Sequence, residues 1–167
     1  MDLPSIARLI RTGRKNDYLY PQKNILKFTE FGFSEKLMEG IEASNYETAT
    51  PVQEQVIPLI MQGKDIIASA QTGTGKTAAF LLPLIHKITS EKHSADDIVS
   101  LVIVPTRELA IQIAQHLEGL SYFTSVSSIA VYGGGDGNAF VQEKKALSGG
   151  ADIVVCTPGK MMAHINM

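Results

Sequence analysis

The eight residues Ala70-Gln71-Thr72-Gly73-Thr74-Gly75-Lys76-Thr77 leave this chain fewer structural choices than any other stretch. They follow an apolar run, residues 65–70, that reads as a buried strand, and they open into residues 78–88, which read as a helix. A glycine-rich turn at a strand-to-helix junction is the setting of a phosphate-binding loop. Gly73 and Gly75 let the backbone turn tightly and bring its N–H groups close to an anion, and the following helix adds free N–H groups and the positive end of its dipole. Lys76 would reach the β- and γ-phosphates of a nucleotide, and the Thr77 hydroxyl would ligate Mg²⁺. The plainer alternative is a Gly-Thr turn that only joins strand to helix; Gly-Lys-Thr at the junction itself weighs against it. The general pattern places its first Gly where this chain has Ala70, a departure that argues against small-molecule kinases and GTPases.

The 167 residues are 44% apolar and 19% charged, an ordinary globular composition that suggests one domain. No apolar run is long enough to span a bilayer and the N-terminus lacks the apolar core of a signal peptide, so the expected location is cytoplasmic, with no membrane partner. Cys156 lies in the run Ile153-Val154-Val155-Cys156 and reads as a small buried hydrophobe. His86, His93, His116 and His164 show no ligand spacing, so any metal is expected to arrive with the nucleotide. Residues 1–27 carry six Lys/Arg and two Asp/Glu, whereas residues 28–167 carry nine and fifteen. The main domain is therefore acidic, and nucleic-acid binding would have to come from a few placed donors rather than a broad basic field.

Residues 1–27 read as a basic N-terminal extension in which residues 4–10 could form a short helix. From Phe28 the pattern tightens. Ser34 can cap a helix to about Ser44 with Leu37 and Ile41 inward; Pro51 fits the first turn of a second helix ending near Gly63, which Pro58 should kink or divide. Then come strands at residues 98–104, a β-branched run fit for a central parallel strand, 127–132 and 152–156, with helices over residues 107–120, 138–147 and 160–167. That alternation predicts an α/β fold, a parallel β-sheet flanked by helices on both faces. Ligands of such sheets bind at the loops after the strands' carboxyl ends, where this chain's short polar motifs fall.

Together these stretches resemble the first RecA-like P-loop NTPase domain of DEAD-box ATP-dependent RNA helicases. Residues 70–77 are similar to the family's motif I letter for letter, including the non-Gly first position. Pro105-Thr106-Arg107-Glu108-Leu109-Ala110 resembles motif Ia, Gly133-Gly134 the GG motif, and Thr157-Pro158-Gly159-Lys160 motif Ib with Lys for the usual Arg. Phe28, Tyr46 and Pro51-Val52-Gln53 resemble the Q motif, so the likeness runs from Phe28 to the end. The resemblance implies that Gln53 bonds the adenine edge, Tyr46 stacks on its face, Phe28 braces from outside, and Gln71, Thr72, Gly73, Thr74, Gly75, Lys76 and Thr77 hold the phosphates of ATP or ADP with Mg²⁺. An amide can pair with N6 and N7 of adenine at once, which guanine cannot reproduce, so ATP is expected over GTP. Pro105, Thr106, Arg107, Gly133, Gly134, Thr157, Pro158, Gly159 and Lys160 are implied contacts to an RNA backbone, independent of sequence. For Arg107 and Glu108 the alternative is a capped helix start with a local ion pair. Three departures stand out: Asn45 where the Q motif usually has Gly, Ala49 where it has Pro, and Gly135-Asp136-Gly137 after the GG motif.

The family's motif II, Asp-Glu-Ala-Asp, does not occur in these 167 residues. It is expected beyond Met167 together with motif III and a second RecA-like domain, so the chain reads as a truncated piece, inactive alone, of an ATP-dependent RNA helicase. A sheet lacking those strands would keep an uncovered edge. The alternatives are a nucleotide- and RNA-binding module without catalysis, or a DNA-directed helicase, against which the Q motif argues.

Overall fold

Runs of β-branched residues alternate with amphipathic stretches, and the second of the chain's two units folds accordingly, while the first departs from expectation at Pro58 and at its two strands. A computed structural model describes residues 8–10, 26–94, 96–134 and 137–166, the backbone alone at 8–10, 137 and 138. The chain falls into two compact units, Met1–Lys87 and Ile88–Met167.

In the first unit, a 3₁₀ turn at Phe28–Phe31 precedes α1 (Glu35–Ala43) and α2 (Pro51–Met61). Leu37 and Ile41 of α1, one turn apart, are fully buried, as their spacing predicts. Pro51 occupies the first turn of α2, and the helix runs through Pro58 undivided, where the sequence suggested a break. Val52 and Val56 of α2 pack with Ala79 of α3 (Lys76–Ser90), and Ile60, Ile66 and Ala70 border that cluster. Burial lowers the pKa of His86 on α3, whose ring meets Phe33 edge-on at 5.6 Å.

The strand before α3 is β2 (Ile67–Ser69), but it is not the buried strand its apolar run suggested. All three residues are exposed, Ile67 at 55%, because among the described residues β2 pairs with residues 8–10 and not within the parallel sheet. That partner is unexpected. Residues 8–10 do not end a helix. They form β1 (Arg8–Ile10), antiparallel to β2, with Arg8 opposite Ser69 and Ile10 opposite Ile67. The reason is general: a strand edge presents a row of unpaired N–H and C=O groups, and an extended apolar segment satisfies them. Residues 1–7 and 11–25 of the basic extension, and Gly135 and Asp136, lie outside the described residues.

The second unit holds the parallel sheet, in the order β3 (Ser100–Ile103), β5 (Ile153–Cys156), β4 (Ser128–Val131). Central β5 is fully buried, which accounts for its unbroken apolar run. β3 lies at the edge of this sheet and not at its centre, where its β-branched run suggested it, because β5 takes the central place between β3 and β4; Leu101 and Ile103 on it are 48% and 60% exposed. Helices α4 (Arg107–Ser121), α5 (Gly137–Ser148) and α6 (Pro158–Ile165) each follow a strand. Ala110, Ile113, Leu117 and Leu120 form the buried stripe of α4, while Leu147 of α5 and Met161 of α6 pack on Val131, Val154 and Cys156. Burial pushes the Cys156 thiol up, keeping it protonated and unreactive.

Asp152 ties the amino ends of these strands together. Its carboxylate accepts the Ser127 N–H at 2.7 Å, the Ser127 hydroxyl at 2.8 Å and a bond from His93 Nε2 at 2.8 Å. Its backbone carbonyl accepts the Ser100 N–H at 2.9 Å. Burial alone would raise this carboxyl, but the bonds from Ser127 and His93 outweigh it and hold the pKa below the usual 3.8. A depressed folded-state pKa contributes stability that is fully present above the unfolded value and is lost as pH falls through the folded one. Asp152→Asn is therefore expected to cost about 1 kcal/mol at pH 6 and less at pH 2.5. Urea midpoints at the two pH values check this; an equal loss at both would mean that charge at Asp152 is irrelevant.

Candidate functional site

β2 delivers the chain into residues 70–77 and α3 carries it away. The turn stands on Gly73 and Gly75, at φ 81° and 83°, a region that L side chains avoid. Gly75 has a second reason to be glycine, since an added Cβ would lie 2.5 Å from Gln53 Nε2. The first turn of α2 is fastened to the loop at that point: Thr50 Oγ1 donates to the Thr74 carbonyl at 2.8 Å, and Gln53 Nε2 to the Gly75 carbonyl at 3.1 Å. Gln53 Oε1 in turn accepts the Thr50 N–H at 2.8 Å, capping the helix. Thr74 Oγ1 donates to the Gln71 carbonyl at 2.8 Å, and Lys76 Nζ donates to the carbonyls of Ala70 and Gln71. Gln71 and Thr72 are exposed at the loop's tip, and Thr77 is half-buried in the first turn of α3.

Tyr46 is half-buried and faces Phe28, ring centroids 6.0 Å apart and planes 24° from parallel. They border a hollow of about 330 Å³ together with Met38 and Glu42. Gln53 is not in its walls; it is 3% exposed and turned to the Gly75 carbonyl. The structure thus joins Gln53 to residues 70–77 and Tyr46 to Phe28, and Gln53 does not line the hollow beside Tyr46. Phe28 is 2% exposed, an interior brace. Two of the departures now have physical reasons. Asn45 has φ 57°, the left-handed region where Gly is easiest and Asn is the best-tolerated substitute. The Ala49 N–H donates to the Leu26 carbonyl at 2.8 Å, a bond proline could not make.

In the second unit, Ile103 and Val131 both pair with Cys156, so the carboxyl ends of β3, β4 and β5 stand level. The loops carrying Pro105-Thr106-Arg107, Gly133-Gly134 and Thr157-Pro158-Gly159-Lys160 therefore leave from one end of one sheet. Thr106 Oγ1 accepts the Leu109 N–H at 3.2 Å, capping α4. Arg107 does not pair with Glu108 among the described residues; its guanidinium lies 5.2 Å from the centre of the Tyr132 ring. It also fills the space over Gly134, where φ is 96° and an added Cβ would sit 2.4 Å from Arg107 Nη1. The GG motif is thus glycine partly to admit this side chain. The Thr157 N–H is taken by the Val131 carbonyl at 3.0 Å, while Pro158 and Gly159 are exposed.

Lys160 is engaged more deeply than its motif suggested. Its Nζ lies 3.0 Å from Glu143 Oε2, and His164 Nε2 lies 2.8 Å from the same oxygen. Phe140 stacks on His164 at 4.2 Å and 6°. Tyr132, Phe140, Glu143 and His164 were missed by sequence reasoning. The available signal was spacing: Phe140 and Glu143 are one turn apart on α5, and Lys160 and His164 one turn apart on α6. Among the described residues, no group of three or more His, Cys, Asp or Glu could hold a metal ion, and no helix is long and apolar enough to cross a membrane.

Residues 50–167 match the sequence profile of the DEAD/DEAH box helicase family. The chain belongs to this family. Over 140 residues it is 49% identical to the ATP-dependent RNA helicase CshA of Listeria monocytogenes, a match covering 84% of this chain and 26% of that protein. It is 41% identical over 147 residues to the ATP-dependent RNA helicase DDX42 of Xenopus laevis, covering 87% of this chain and 15% of that one. The crystal structure of a DEAD box protein from Methanococcus jannaschii superposes with a TM-score of 0.72 at 34% identity, over 84% of this chain and 37% of the other. The chain thus spans about a quarter or less of these curated relatives' length. Its parallel sheet and flanking helices are those of a DEAD-box RecA-like domain.

Proposed function

We propose that this DEAD-box chain binds an adenine nucleotide with Mg²⁺ at residues 70–77 and a single-stranded RNA backbone at the loops after β3, β4 and β5. The protein to which these segments belong would be an RNA-stimulated ATPase acting as an RNA helicase in the cytoplasm, its RNA cleft shared with a second RecA-like domain. The observation that carries the nucleotide reading is the fastening of Gln53 to the phosphate loop at the Gly75 carbonyl. An amide has two N–H donors and two acceptor lone pairs, and Gln53 spends one of each on Gly75 and Thr50. One donor and one acceptor remain, the pair that the N7 and N6 edge of adenine requires. The base reader and the phosphate reader are therefore mechanically one piece.

The donor set fits a nucleotide–Mg²⁺ complex. Backbone N–H groups of residues 73–77 would line the phosphates, and Thr77 Oγ would hold Mg²⁺, an ion that takes few protein oxygens and completes its shell with phosphate and water. When bound, the ion neutralises phosphate charge. Lys76 supplies the matching cation from the protein, and Arg107 a guanidinium that can meet a phosphate with two parallel bonds. Such contacts grip RNA without reading its sequence. The 167 residues contain no Asp-Glu-Ala-Asp to position an attacking water, so this chain alone is proposed to turn over no ATP. Steady-state phosphate release by the isolated chain would refute that.

The nucleotide reading is tested by calorimetric titration with ADP and GDP, each with Mg²⁺, on the wild type and Gln53→Ala. ADP is expected to bind at least tenfold tighter than GDP, with the preference lost in the variant. Equal binding of the two nucleotides by the wild type would remove Gln53 as base reader.

A further inference from the structure

The two basic side chains of the proposed RNA face are in different electrostatic states. Arg107 is exposed and, among the described residues, has no carboxylate partner; Lys160 arrives already paired. We infer that Glu143 is a built-in counter-ion that withholds Lys160 from nucleic-acid phosphate, so that grip at the loop after β5 is set by competition between this carboxylate and the RNA backbone. The inference rests on the reading that these loops take RNA.

The geometry is specific. Glu143 is 8% exposed, and its Oε2 is approached by Lys160 Nζ at 3.0 Å and His164 Nε2 at 2.8 Å. The Lys160 and His164 side chains are 15% and 5% exposed, so this pair is screened by salt far less than a surface pair. Phe140 closes the cluster, parallel to His164 and 4.9 Å from Lys160 Nζ, favouring the cation where it is. A buried carboxylate needs cationic or donor partners, so the fold gains a clamp between α5 and α6. That clamp has a functional cost. A neutral Lys–Glu pair carries no net positive charge to an RNA phosphate and displaces no counter-ion from it, whereas an uncompensated lysine displaces most of one.

Glu143→Gln separates clamp from charge. Glutamine keeps the shape and one acceptor oxygen for His164 and Lys160, while it removes the negative charge and turns the other oxygen into an N–H donor. The test is fluorescence-anisotropy titration of a labelled oligouridine with the 167-residue chain at several KCl concentrations. Glu143→Gln is expected to bind about three- to tenfold tighter at the lowest salt, with the log–log salt slope steeper by about 0.7. The double variant Glu143→Gln/Lys160→Ala should lose the gain. An unchanged slope, weaker binding, or a gain that survives removal of Lys160 would each overturn the inference, the second by making Glu143 a positioning residue.

Arg107→Ala serves as the separate check on the RNA reading. If it leaves wild-type affinity unchanged while Glu143→Gln raises it through Lys160, the RNA face is wrong in extent but the counter-ion stands. If the wild type shows no salt-dependent RNA binding, both fall. Reductive methylation of the wild type, followed by mass spectrometry, reads the pair without any variant. Lys160 should be modified at least several-fold more slowly than exposed Lys64, and equal rates would overturn the sequestration directly.

Discussion

Lys76→Met is expected to weaken ADP–Mg²⁺ binding about 100-fold, with little change in the fold. A lysine shared between phosphate oxygens makes charge-assisted bonds worth about 1.5–3 kcal/mol each, and losing roughly 3 kcal/mol is a factor of about 100 in affinity. Methionine keeps most of the apolar stem and so isolates the charge. The carbonyls that Lys76 now touches, those of Ala70 and Gln71, belong to half-buried and exposed residues, and water can replace the ammonium there. The melting temperature should therefore move by no more than about 2 °C. Calorimetry paired with thermal denaturation checks both halves. Unchanged affinity would show that the phosphates do not meet Lys76, and a collapse of stability would make this lysine a structural pin.

The second large effect is on stability and separates two glycines with nearly equal dihedral angles. Gly73→Ala and Gly75→Ala both force an L side chain to positive φ, at 81° and 83°, a strain of about 1–2 kcal/mol. Around Gly73 nothing lies within 4 Å of the added Cβ, so the cost ends there. At Gly75 the Cβ would sit 2.5 Å from Gln53 Nε2 and 3.3 Å from Thr50 Oγ1, the two groups that bind α2 to the loop. Displacing them adds overpacking and two broken hydrogen bonds, about 2–3 kcal/mol more. Gly75→Ala should melt about 5–10 °C below Gly73→Ala and lose nucleotide binding, where Gly73→Ala loses only part of it. Equal melting points would mean that the Gln53 clamp is slack in solution.

Much of the site was legible in the sequence because its chemistry is local. Gly73, Gly75, Lys76 and Thr77 are adjacent in the chain, and a strand-to-helix turn with that composition has few other uses. The three loops of the second unit were legible for a related reason: each follows a β-branched run, and parallel strands put their carboxyl ends on one side of a sheet. What could not be read was the partner of each side chain. Glu143 looked like an ordinary helical carboxylate, and only the packing of α5 against α6 shows it buried against Lys160 and His164. Similarly, Arg107 with Glu108 next door suggested a local ion pair, and the fold placed the guanidinium over Tyr132, 25 residues away in sequence.

Asn45 and Ala49 show the same division on a smaller scale. Their identity as departures from the Q motif was visible by inspection, but their reasons, a φ of 57° and an N–H bonded to Leu26, are backbone facts. The fate of residues 8–10 is a further case. Arg-Leu-Ile is compatible with helix or strand, and pairing with β2 decides for strand because an open row of backbone groups outweighs a weak local propensity.

By itself the sequence determined the order of strands and helices from Phe28 onward, the place of the glycine-rich turn between β2 and α3, and the family, since all of these depend on residue type and spacing along the chain. Only the tertiary structure decided that Gln53 faces the loop rather than Tyr46, that β2 pairs with β1, and that Lys160 is paired with Glu143. Those outcomes depend on which groups meet across distances of 22, 59 and 17 residues in the chain, between Gln53 and Gly75, Leu9 and Ala68, and Glu143 and Lys160. Burial then fixes their energies, because a hydrogen bond or ion pair removed from water must be satisfied where it stands.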